Sequence, residues 1–247
     1  MDYFTPFWSG FARLLGRFPF VVWGVGCCDL KSAHTRLDER LLRQVCAASE
    51  LCVVRDDVTR DYLRGLAVPD PVPCPSLLTL APPATPGFGL LHAANLTTVG
   101  DAAYRTMRQT GQRFARRSGR PYTETNNRIA PGSRRELAAV LAQYAGADLV
   151  LSSRLHGCLI ALAMGRQLLA VSGDRKLESF CHAAGLDDWL LDAAEAADAT
   201  VLAGRLSRLS EQAPVTDFVA DARAANGAVA AAILDLMPGR ESAWAGT

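Results

Sequence analysis

The sequence predicts an α/β protein with parallel sheets in two folding units. Three observations carry that expectation: short apolar runs alternate with helical patterns, a proline cluster divides the chain, and the alternation resumes beyond it. The chain has 247 residues, more than an ordinary domain of roughly 100 to 200 residues.

The elements follow in order. An aromatic segment opens the chain, with Phe4, Phe7, Trp8, Phe11, Leu14, Leu15 and Phe18 at the i, i+3, i+4, i+7 spacing of an apolar helix face. It reads as a helix packed on its own unit or on a second copy, with a membrane-surface helix as the alternative. Residues 20–26 and 51–54 then read as strands, and 38–49 and 59–66 as helices. Seven of the 13 prolines fall at 69, 71, 73, 75, 82, 83 and 86, a density that excludes helix and indicates an extended connector. This places a shortened first lobe at 1–85, linked through 69–86 to a second lobe at 86–247. In the second lobe, 88–92, 148–152, 167–171 and 189–191 read as strands. Helices are expected at 102–117, 133–145, 157–164 and 177–184, with an Ala-rich terminal helix at 220–236.

Composition narrows the function. The chain is 49% hydrophobic and 21% charged, and 26 basic residues nearly balance 25 acidic ones for a net charge of +1. That balance argues against a protein that coats nucleic acid, so anion binding has to be local. Of the 26 basic residues only Lys31 and Lys176 are lysines. Seven cysteines, at 27, 28, 46, 52, 74, 158 and 181, show no zinc spacing and read as mostly buried thiols of a reducing compartment. The longest apolar stretch, 18–28, is about half of the ~20 residues that span a bilayer. A cytoplasmic location is therefore expected.

The chemistry concentrates where two apolar strands end. The first runs through residues 148–152 into Ser152, Ser153, Arg154, Leu155, His156 and Gly157. Hydroxyls, a guanidinium, an imidazole and free N–H groups at a helix start suit a phosphate or carboxylate, and Gly157 permits close backbone approach. The second, 168–171, ends in Ser172, Gly173, Asp174, Arg175 and Lys176 before its own helix. Neighbouring parallel strands end about 5 Å apart, so Arg154, His156, Ser172 and Lys176 are expected to face one cleft. His156 is the group able to move protons near neutral pH. The competing reading is a capped helix start with a surface salt bridge and a structural histidine. The arginines at 105, 108, 113, 116, 117 and 120 read as a solvated helix face, with an anion-docking surface as the alternative, and Thr123, Glu124, Asn126 and Asn127 read as a polar loop between helices.

These residues resemble a known family. The strand leading into Ser-x-Arg-Leu-His at Ser152, Ser153, Arg154, Leu155 and His156, with Lys176 after the following strand, is similar to the signature of the polysaccharide pyruvyl transferases. Arg55-Asp56 followed by Thr59 resembles an Arg-Asp-x-x-Ser/Thr segment of that family's first lobe. The family's Asn-x-Gly-Asp turn has no match before Phe20; the nearest string, 95–101, reads as the first strand-to-helix loop of the second lobe. The resemblance implies two facing Rossmann-like lobes of the GT-B kind, the first incomplete. It also implies transfer of the enolpyruvyl carbons of phosphoenolpyruvate to sugar hydroxyls as a ketal. Arg154, His156 and Lys176 would then be catalytic, and Ser152, Ser153, Leu155, Gly157, Ser172, Gly173 and Arg55 would bind substrate. No metal or redox cofactor is demanded. The expected partners are phosphoenolpyruvate and a saccharide acceptor, with no nucleic acid; lipid linkage of the acceptor, peripheral membrane contact and a homo-oligomer stay open. The rival functions are a GT-B glycosyltransferase with a nucleotide-sugar donor and a non-catalytic carbohydrate-binding protein.

Overall fold

A computed structural model describes residues 5–26, 39–78 and 80–237. They form two compact units, 5–26 with 39–78 and 220–237 in the first, and 80–219 in the second. The protein is mixed α/β, and the strands of both sheets pair in parallel.

The first unit contains α1 (Thr5–Ala12), β1 (Val21–Val25), α2 (Glu39–Ala47), β2 (Leu51–Val54) and α3 (Asp57–Tyr62). Strands β1 and β2 pair from Val21↔Leu51 to Val25↔Val54. Val22, Leu42, Val45, Cys46, Val54 and Leu63 make its core, against which Phe11 and Leu15 pack. Phe11 meets Phe20 edge-on, with ring centroids 4.9 Å apart, so part of the aromatic segment packs on its own unit. Phe4, Cys27, Cys28 and Lys31 lie outside the described residues.

The second unit contains β3 (Leu90–Ala93), α4 (Leu96–Arg117), β4 (Tyr122–Thr125), α5 (Arg134–Gly146), β5 (Leu149–Ser152), α6 (Leu155–Ala163), β6 (Gln167–Ser172), α7 (Arg175–Ala183), β7 (Leu190–Asp192), α8 (Ala193–Ala197) and α9 (Ala199–Arg208). Its strand order is β4-β3-β5-β6-β7. The connection from β3 runs to one side of the sheet and the strands after β5 to the other, so the order reverses between β3 and β5. In open parallel sheets a crevice for ligand opens at such a reversal, outside the C-terminal strand ends. Every residue of β5 is buried, as expected of a central parallel strand covered on both faces. Leu90, Met107, Leu149, Leu151, Leu169, Val171 and Leu191 belong to its main core.

Three features differ from the sequence expectation. Residues 122–125, expected as loop, form the edge strand β4, paired with β3 from Leu90↔Tyr122 to Ala93↔Thr125. A short polar strand gives little hydrophobic signal, and edges tolerate polar side chains. The second feature is the division of the chain: composition put it near residue 85, whereas contacts end the first unit at 78. The third is α10 (Thr216–Asp235), which was expected to stay with the second lobe but belongs to the first unit from residue 220 onward. Fully buried Asn226 explains this membership: its Oδ1 accepts from Trp23 Nε1 at 3.1 Å, and its Nδ2 donates to Pro73 O at 2.7 Å.

Much of the arginine stripe is solvated. Arg105 and Arg108 are exposed, the latter paired with Glu124 at 2.8 Å. Arg120 instead turns inward, 2.8 Å from Asp148 Oδ2 and stacked over Phe88. Cys46, Cys52, Cys158 and Cys181 are buried. Among the described residues no helix is long and apolar enough to cross a membrane.

Candidate functional site at the strand ends

The site grows from the ends of β3, β5 and β6. Ser152 and Ser153 are buried at the end of β5, and their hydroxyls bind this loop to its neighbour after β3. Ser152 Oγ donates to Ala93 O at 3.0 Å, and Ser153 Oγ accepts from Asn95 N at 2.7 Å. Of the 95–101 string, which the sequence reads as the strand-to-helix loop, Asn95 is the N-cap and residues 96–101 already belong to α4. Arg154 continues the tie, donating from Nε to Ala94 O at 2.9 Å. This bond fixes the guanidinium plane and leaves both terminal nitrogens without an acceptor among the described residues.

Arg154 is also the N-cap residue of α6, and its side chain makes no capping bond. The first N–H groups of the helix are therefore not satisfied from the cap, and the positive end of its dipole lies at the C-terminal end of β5. His156, in the first turn, is exposed and has no hydrogen-bond partner among the described residues. Leu155 is buried and anchors that turn. Gly157 is required by space: a Cβ there would run into Ser152 Oγ and come within 3.1 Å of the Tyr144 hydroxyl. Cys158 follows, fully buried, its thiol pushed up to about 12 by that burial, so it packs rather than reacts.

The neighbouring loop repeats the backbone. Buried Ser172 Oγ donates to Asp174 O at 2.7 Å and accepts from Asp174 N at 3.2 Å. Asp174 caps α7 by accepting from Leu177 N at 2.9 Å. Lys176 Nζ lies 3.5 Å from Asp174 Oδ2 with little side-chain exposure, while Arg175 is exposed. At Gly173 a Cβ would strike the carbonyl of Thr98, so the first turn of α4 presses against this loop. Register pairs Ser152 with Ala170. Residues 152–157 and 172–176 therefore leave adjacent strands on one edge of the sheet.

Arg55 belongs to the first unit, at the end of β2. Its guanidinium lies against Gly26, where a Cβ would collide with it, and its Nε is 3.2 Å from Asp56 Oδ2. Asp56 also caps α3 through Thr59 N at 2.8 Å. The Arg-Asp-x-x-Thr spacing is thus a helix cap with an arginine attached to its carboxylate.

The structure adds three residues that the sequence reading left out of the site: Tyr144, Asn127 and Arg128. Tyr144 is fully buried in α5, and its hydroxyl bonds both amide atoms of Asn127 at 2.8 and 3.1 Å. The next residue, Arg128, acts electrostatically on Arg154: burial first, and then the Arg128 charge, lower the Arg154 pKa from its usual value. No local sequence signal marks this approach, which depends on the order of the strands.

A search among curated proteins finds no match to the chain. The family model of the polysaccharide pyruvyl transferases, however, matches residues 2–175. The match spans Arg55, the whole Ser152–Gly157 turn and the Ser172-Gly173 loop, and stops one residue short of Lys176. With most of its length matched and an open helix start at the strand ends where that signature falls, the chain belongs to the polysaccharide pyruvyl transferase family.

Proposed function

We propose that this transferase uses phosphoenolpyruvate as donor and builds a pyruvyl ketal on a saccharide. The observation that carries the reading is the start of α6, where uncapped N–H groups, two Arg154 nitrogens without an acceptor among the described residues and exposed His156 share one turn. Phosphoenolpyruvate brings a carboxylate and a phosphate, and a helix start beside a guanidinium binds such groups through charge-assisted bonds.

The chemistry then needs a proton on the methylene carbon of the donor, which leaves an oxocarbenium-like carbon next to it. One sugar hydroxyl attacks that carbon and gives up its proton. Phosphate leaves with the C–O bond electrons and takes up a proton, and a second hydroxyl attacks the carbon it vacates and gives up its own proton to close the ketal. His156 is the proton donor or acceptor in this reading. Arg154 and Lys176 hold the anionic groups and stabilise charge on the departing phosphate, and Ser152, Ser153, Gly157, Ser172 and Gly173 shape the backbone around them. No step calls for a metal or a redox cofactor. The GT-B-like division of labour, with the second unit on the donor side and the first, with Arg55, on the acceptor side, belongs to the same reading.

Phosphate release from phosphoenolpyruvate, measured with a panel of sugars beside a panel of nucleotide sugars, tests it. Release that depends on both phosphoenolpyruvate and a sugar is the expected result. Turnover with nucleotide sugars alone overturns it in favour of a glycosyltransferase, and saccharide binding with neither reaction favours the non-catalytic alternative.

A further inference from the structure

The loop after β4 carries a cation into the neighbourhood of α6. Strand order places β4 and β5 on either side of β3, so their C-terminal ends are about 10 Å apart at usual strand spacing, within reach of two long side chains. Beyond Thr125 the chain turns tightly: Asn126 Oδ1 accepts from Arg128 N at 2.9 Å, and Asn127 takes a left-handed φ of 53°. Asn127 is fastened by donating to and accepting from the Tyr144 hydroxyl. That hydroxyl stands at the close-packed start of α6, 3.1 Å from where a Cβ on Gly157 would lie. One buried phenol therefore joins the turn that carries Arg128 to the turn that carries Arg154 and His156.

The result is a pair of like charges without a counter-ion among the described residues. Arg154 commits only Nε, to Ala94 O, and the Arg128 guanidinium has no acceptor among the described residues. No carboxylate among those residues pairs with either. Two guanidiniums on turns joined in this way repel each other, an oxyanion between them relieves that repulsion, and planar forks suit a carboxylate or phosphate edge.

We propose that Arg128 and Arg154 form a two-guanidinium subsite for one oxyanion group, either the carboxylate or phosphate of the donor or a phosphate carried by the acceptor. The proposal rests on the reading of α6 as the donor-binding helix start, and it adds Arg128 as a binding residue from a different loop.

Calorimetric titration of inorganic phosphate and of phosphoenolpyruvate into the wild type, Arg128→Gln and Arg154→Gln tests it, together with steady-state KM values for donor and acceptor. Arg128 is exposed, so Arg128→Gln is expected to melt with the wild type. Inorganic phosphate should bind Arg128→Gln about tenfold more weakly, and Arg128→Lys should recover part of the loss. A matching rise in donor KM assigns the subsite to phosphoenolpyruvate, whereas a rise in acceptor KM alone assigns it to an acceptor phosphate. If Arg128→Gln retains wild-type phosphate affinity and both KM values while Arg154→Gln loses them, the subsite is wrong and the proposed function stands. If the wild type neither binds nor turns over phosphoenolpyruvate, the proposed function fails, and the inorganic phosphate titrations still decide the subsite.

Discussion

The loops after β5 and β6 share a backbone and differ at one decisive side chain. In each, a buried serine at the strand end ties down the residue two places on: Ser152 Oγ accepts from Arg154 N at 3.1 Å, and Ser172 Oγ accepts from Asp174 N at 3.2 Å. That residue is then the N-cap of the following helix. Asp174 turns its carboxylate onto Leu177 N, so α7 already holds an anion of its own. Arg154 turns away to Ala94 O and leaves α6 open. Equal geometry with opposite charge separates a helix start capped by its own carboxylate from one left without a side-chain cap. The helix start available to an oxyanion is that of α6, and Lys176 enters as a cation held beside the carboxylate of α7.

The most severe way to break this difference is to erase it. Arg154→Asp gives α6 the cap that α7 has, so stability should stay within about 1 kcal/mol of wild type while one charge-assisted contact becomes a repulsion. Loss of 4 kcal/mol or more of transition-state binding is expected, about 10³-fold in turnover. Thermal melts beside phosphate-release kinetics check both halves. A folded, active Arg154→Asp would show that the anion does not sit at α6.

How much of this was legible in the sequence depends on the range of the interaction. Strands β5 and β6 are buried apolar runs that end in Ser-x-Arg and Ser-x-Asp, so their positions and the turn chemistry could be read locally. The edge strand β4 could not, because Tyr-Thr-Glu-Thr has partly exposed side chains and takes its strand identity from pairing with β3. The Ala-rich α10 shows its periodicity but not its destination, which Asn226 sets by bonding Trp23, 203 residues away. Arg128 was invisible for the same reason: its role follows from β4 lying beside β3, and from a tyrosine 16 positions further along.

His92, in β3 next to β5, sets the acid limit within which the two loops can be compared. Burial holds its pKa down at about 4; Nδ1 is 2.9 Å from the Tyr122 hydroxyl, and Nε2 has no partner among the described residues. The native state thus keeps the imidazole neutral, whereas the unfolded chain protonates it near pH 6.5. Stability is full above about pH 6.5 and falls as pH drops toward 4, by up to about 3 kcal/mol. Melts across that range should show this loss, and His92→Phe should flatten it. Any acid loss of activity that precedes the melt then belongs to the site and not to unfolding.

A smaller effect is expected at α7. Lys176→Arg replaces a compact ammonium 3.5 Å from Asp174 with a wide fork, and the donor KM should rise about tenfold. The exposed neighbour changed in the opposite sense, Arg175→Lys, should be nearly silent. Kinetics with varied phosphoenolpyruvate decide between them, and the reverse pattern would put the charge of the loop on Arg175.

The finest test separates the two jobs of Asp174, capping α7 and holding Lys176. Asp174→Ala removes both, and losing a cap costs about 1 kcal/mol. Asn caps a helix about as well as Asp, so Asp174→Asn keeps the bond to Leu177 N and removes only the charge that faces Lys176. Its melting curve should stay within a few tenths of a kcal/mol of wild type at pH 7. If the carboxylate serves to position the ammonium, the donor KM shifts about twofold in Asp174→Asn although the fold is untouched, because an ion pair of this kind at a partly screened site contributes no more than about 1 kcal/mol. If instead KM moves only in Asp174→Ala, in step with stability, the carboxylate is a cap alone. The contrast between the two loops then reduces to which helix start is left open.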